Sequence, residues 1–206
     1  VVHVLVRFAL AIFAAGALGQ GYAQSDYVAE DRIPAEVRPF IEPDTRVLAL
    51  QAADLNSDKL RDYVLVLEKQ LSEVDPGNPP EGQRPLVILV RQADGKLVVA
   101  KRNDKIVYCS FCGGVFGDPF AGIAVRPGGF TVSHYGGSNW RWGNSFRFAY
   151  SRRDQTWQLV RVEETTFNAG DPARTKKTEV LVPPKHYGKI DIADFDPQRF
   201  RGQGAR

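Results

Sequence analysis

The chain has 206 residues, 43% of them hydrophobic, with 27 Lys and Arg against 24 Asp and Glu. That length allows one domain with a sizeable core and is short for two. A formal charge of +3 with both signs interspersed gives no electrostatic case for nucleic acid or an anionic membrane as a partner.

Residues 1–23 read as a secretory signal peptide: a weakly basic start at His3 and Arg7, a short apolar run over 8–18, then small or turn-forming residues up to Ala23. The apolar run falls well short of the roughly 20 residues that a spanning helix needs, so removal after Ala23 is expected rather than anchoring. Arg7 is the only charged side chain in that leader, so the mature chain carries +2. It has no membrane span of its own and is expected in the periplasm or outside the cell.

The mature chain opens polar over 24–31, and Pro34, Pro39 and Pro43 then allow one short helical stretch over 35–40. Everything after it reads as strands and turns. Strands at 46–51 and 62–68 flank an acidic loop. The run Tyr63-Val64-Leu65-Val66-Leu67 is apolar at every position, the pattern of a strand covered on both faces. A breaker-rich loop at 72–84, containing Pro76, Gly77, Pro79, Pro80 and Gly82, precedes a hairpin of 86–92 and 96–102 about Asp94-Gly95. A strand at 105–109 follows.

Two further hairpins pair 122–126 with 130–135 and 145–151 with 156–162. In the second, Phe146, Phe148 and Tyr150 face one way while Ser145, Arg147 and Ala149 face the other. A polar loop over 167–177, a short strand at 179–182, an edge segment at 190–195 and a disordered tail at 199–206 complete the chain. No long run has apolar residues at helical spacing, and turn signals recur as they do in all-β domains. Residues 24–198 are therefore expected to form one mainly β domain. Its architecture is an antiparallel β-sandwich or a strongly twisted, partly closed sheet, with one short N-terminal helix.

The stretch 54–62 places Asp54, Asn56, Asp58 and Asp62 at loop positions 1, 3, 5 and 9, with the carbonyl of Leu60 at position 7. At that spacing one short loop wraps oxygen donors around a hard cation, and Ca2+ is the expected ion. The loop resembles that of FG-GAP and VCBS-type repeats, in which the pattern D-x-D-x-D-G-x-x-D joins two strands and binds calcium. It departs from them at position 6, where Lys59 stands in place of the usual Gly. A left-handed non-glycine residue there costs about 1 kcal/mol. Leu65 at position 12 separates the loop from an EF-hand. The alternative is a solvated hairpin loop in which Asp and Asn serve only the turn.

Cys109 and Cys112 are the only cysteines. In an oxidising compartment they are expected to form a disulfide that pins a local turn. A metal half-site completed by His134 and His186, and a redox pair, are the alternatives; the glycines after Cys112 and the missing βαβ pattern speak against the latter.

Further on, Trp140 and Trp142 share one face of an extended strand and, with His134, Asn139 and Arg141, would make a platform for a sugar ring or a peptide. Large aromatics among glycines also fill and turn the corners of β-domains. Together with the acidic loop and the cysteine pair, the phrases CGGVFGDPF and HYGGSNWRW are similar to a group of secreted bacterial proteins over most of the mature chain. That resemblance implies one intact domain and no particular activity.

A hydrolase would recruit Asp118, His134 and either Ser133 or Ser138, yet the chain has no G-x-S-x-G, P-loop, dinucleotide fingerprint or H-E-x-x-H. The sequence favours an exported, non-enzymatic, calcium-stabilised β-domain that binds an envelope glycan or protein partner near Trp140 and Trp142. A periplasmic hydrolase acting on envelope polymers is the alternative. Exposure of the two tryptophans separates these readings.

Overall fold

Alternating hydrophobicity and tight turns fold the chain into two antiparallel sheets stacked face to face. The computed structural model describes residues 27–70 and 84–200. The expected leader and its cleavage point, positions 72–83 of the breaker-rich loop and positions 201–206 of the expected tail lie outside the described residues. The first sheet has the order β1 (Thr45–Ala53), β2 (Asp62–Lys69), β3 (Leu86–Arg91) and β4 (Leu97–Asn103). The second runs β5 (Phe120–Arg126), β6 (Gly129–Gly137), β7 (Trp140–Ser151), β8 (Thr156–Asn168) and β9 (Lys177–Leu181). The sheets do not close into a barrel.

The main core lies between the sheets. Val64, Val66, Leu86 and Ile88 of the first meet Phe130, Val132, Phe146, Phe148 and Val162 of the second, all buried. As its unbroken apolar run requires, β2 is covered on its other face as well. There Tyr63, Leu65 and Leu67 pack with Val87 and Leu89 beneath Ile33 and Val37 of the N-terminal segment. That cover consists of two 3-10 turns, Glu30–Arg32 and Arg38–Phe40, in place of one helix over 35–40. The prolines explain the difference, since each permits a turn and limits its continuation.

Three other elements depart from the sequence reading. Residues 105–109 form no strand. They belong to the crossover between the sheets, where Ile106 and Val107 sink into the core and Asn103 Oδ1 accepts the amides of Lys105 and Ile106. The stretch 167–177 is not all loop: β8 runs on to Asn168, and a helical turn, α1 (Pro172–Thr175), follows with Asp171 as its N-cap. Arg199 and Phe200 lie within the folded body, the Phe200 ring meeting Tyr187 and Phe195 at 5.2 and 5.6 Å. The segment 190–195 contributes a single bridge, Asp191 to Gln158, and plugs the sandwich with Ile192 and Phe195. No helix among the described residues is long and apolar enough to cross a membrane.

Candidate functional site

The acidic loop joins β1 to β2 and rests against the second sheet. The carbonyl of Asp54 accepts the amide of Gly128 at 2.8 Å, that of Leu55 the indole N–H of Trp157 at 2.9 Å, and that of Ser57 a guanidinium N–H of Arg152 at 3.3 Å. Gly128 lies close enough that a Cβ there would stand 3.0 Å from Ser57 Oγ. The loop therefore ties the two sheets at one end of the sandwich. Two of its residues are left-handed, Ser57 at φ 63° and Lys59 at φ 74°. Each costs about 1 kcal/mol relative to glycine.

Those two reversals bring Asp54, Asp58 and Asp62 together, with one carboxylate oxygen of each within 4.8 Å of the others. Asp54 accepts the amides of Asp58 and Lys59, Asp58 accepts that of Leu60, and Asp62 accepts those of Leu55 and Arg91. Asn56 braces the group from the side: its amide nitrogen donates to Asp58 Oδ2 at 2.8 Å and its oxygen accepts the amide of Asp58 at 3.1 Å. Asp62 is fully buried, and burial pushes its pKa up, with the charges of Asp58 and Asp54 adding in the same direction. A carboxylate has about four lone-pair positions, so each of the three keeps acceptor capacity beyond its amide bonds. The donor set of hard oxygens suits a calcium-like ion better than a soft one.

Cys109 and Cys112 are joined by a disulfide, with Cα atoms 5.2 Å apart. Of the residues expected at an aromatic platform, Trp140 is 57% exposed, and Asn139 is exposed beside it. Trp142 lies on the same face of β7 but is half-buried, and its ring covers Gly136 so closely that a Cβ there would stand 2.6 Å from Cζ2. Arg141 points from the opposite face, its guanidinium 4.1 Å from the centre of the Phe116 ring. His134 is inside, 2% exposed. The structure thus exposes Trp140 and Asn139 at one end, half-buries Trp142 on the same face, turns Arg141 to the opposite face and encloses His134.

The residues that a hydrolase would need are engaged in other interactions or turned to a different face. Asp118 is held by both Nη atoms of Arg84, at 2.6 and 2.5 Å, and Arg84 Nε reaches Glu68 at 2.9 Å. This buried network links β2 to the crossover, and residue-by-residue reading of the sequence missed it. The His134 ring stacks on Tyr108 at 4.2 Å, and its Nε2 accepts the Tyr108 amide at 3.3 Å. Burial, reinforced by the nearby Arg84 charge, lowers its pKa to about 3, so the ring is neutral and a weak base. Ser133 alternates to the outer face of β6, and Ser138 is exposed in the following turn.

Comparison with protein-family models, curated proteins and solved structures gives no significant match.

Proposed function

We propose that this is an exported, non-enzymatic β-domain, stabilised by calcium, that presents the Trp140 end of its second sheet to an envelope glycan or protein partner. The observation that carries the calcium assignment is the convergence of Asp54, Asp58 and Asp62 within 4.8 Å in a loop that also bridges the sheets. Bound there, the ion supplies positive charge that offsets the mutual repulsion of three carboxylates. Asn56 positions Asp58, and Asp62 fixes the loop to β3 through the Arg91 amide. The disulfide is compatible with an oxidising compartment, and exposed Trp140 offers a stacking surface.

The test is thermal unfolding with chelator and with 10 mM calcium. For a site of about 0.3 mM affinity, mass action gives about 2 kcal/mol of stabilisation, or a rise of about 4–8 °C for a domain of this size. D58N should abolish the rise. In chelator it should melt no lower than the parent, because one repelling charge is gone. An equal response of D58N and parent to calcium, or none in either, refutes the assignment.

A further inference from the structure

We propose that the outer face of the second sheet binds an extended, carboxylate-bearing glycan lying along β7. The inference rests on the binding-domain reading above but concerns a different surface from the Trp140 end. Near-neutral net charge conceals a sorted distribution. Since Phe146, Phe148 and Val162 point into the core, the alternating residues of β7 and β8 present Arg141, Gly143, Ser145 and Arg147, with Arg161 and Glu163, to the outside.

Arg147 and Arg161 stand directly opposite each other across the two strands. Like charges so placed repel, which disfavours the pair unless an anion joins it. Glu163 accepts a hydrogen bond from Arg161 at 2.7 Å. The Nε atoms of Arg147 and of Arg141 are shut off from solvent and have no acceptor among the described residues. Those two arginines are six residue steps apart along β7, about 20 Å.

Between them the face is hollow. Gly143 contributes no side chain, leaving a shallow cavity of ≈ 240 Å³ bounded by Ser133, Ser145, Glu163 and Thr165. Tyr135 is 39% exposed, and its Cδ2 lies 3.8 Å from where a Gly143 Cβ would be. An aromatic ring beside a glycine floor, walls of hydroxyls and of a Glu163 carboxylate already paired with Arg161, and arginines at both ends supply the three contacts an acidic sugar chain uses. These are stacking against the apolar face of a ring, hydrogen bonds to its hydroxyls, and paired N–H donors to its carboxylates. A nucleic acid would find positive charge here but only one exposed ring on which to stack its bases.

The experiment is calorimetric titration of the full chain with hexagalacturonate, its methyl ester, and a single-stranded hexanucleotide. The acid form should bind, the uncharged ester at least tenfold more weakly, and the hexanucleotide no better than the ester. R147Q/R161Q and Y135A, each checked for an unchanged melting temperature, should each lose at least tenfold in affinity, while W140A should not. Absence of acid-form binding, equal binding of the ester or the nucleotide, or indifference to R147Q/R161Q overturns the proposal. Glycan binding lost only in W140A also overturns this face, yet leaves the binding-domain reading standing, so the two failures are distinct.

Discussion

Removing the guanidinium of Arg84 should be among the most damaging single changes in the domain. Arg84 is 1% exposed and lies between Glu68 and Asp118, both nearly buried. It donates to Glu68 Oε1, to both oxygens of Asp118 and to the carbonyl of Tyr108. In R84L the two carboxylates lose this cation while keeping other contacts, among them the Tyr27 hydroxyl on Glu68 and the Phe120 amide on Asp118. A buried charge deprived of its partner costs about 3–5 kcal/mol, far less than the sum of the lost bonds, because the intact network had already lost hydration when it was buried. At about 2–4 °C per kcal/mol, the melting temperature should fall by about 6–20 °C.

Urea unfolding at pH 7 measures the loss. The discriminating variant is R84M/E68Q/D118N, which removes every charge together and should recover more than half of it. If R84L lies within about 1 kcal/mol of the parent, or the neutral triple variant is no more stable than R84L, the network is not a charge-compensated unit and the reasoning fails.

Two further predictions concern the neighbouring corner. G136A places a methyl group against Trp142 and 2.9 Å from Gly113 Cα, so it should destabilise by about 1–3 kcal/mol and change tryptophan fluorescence. For His134, the folded pKa of about 3 lies below the ordinary value of 6.5. The unfolded chain therefore binds the extra proton between those values, and stability is complete above pH 6.5 and declines as pH falls toward 3. The full effect is at most about 4–5 kcal/mol. H134F removes the titrating ring, so its stability should fall less steeply than the parent's between pH 6.5 and 4.5; parallel slopes by denaturant titration would count against the assignment.

What the sequence disclosed is what depends on near neighbours. The apolar run over Tyr63 to Leu67 required two covers, and the structure supplies both. Asp94-Gly95 marked its turn because Gly95 takes φ 86°, and Asp54, Asp58 and Asp62 were close in sequence before they were close in space. Reading 167–177 as a polar loop passed over a signal that was equally local, the N-cap Asp171 followed by first-turn Pro172, which begins α1.

The Arg84 network was illegible for the opposite reason. Glu68 lies 16 residues before Arg84 and Asp118 lies 34 after it, so only the stacking of the sheets brings them together. The arginine face adds a subtler obstacle. Strand alternation alone gives the side of Arg147, but its partner depends on a register shift between Arg147 and Phe148. That shift leaves Val160 unpaired and sets Arg161, not Val160, opposite Arg147. One inserted residue exchanges the inner and outer faces of a strand, and no residue type in 156–162 announces it. The charge that the whole-chain balance hides is created at that bulge: without it, β8 would turn Arg161 inward and leave Arg147 facing a valine.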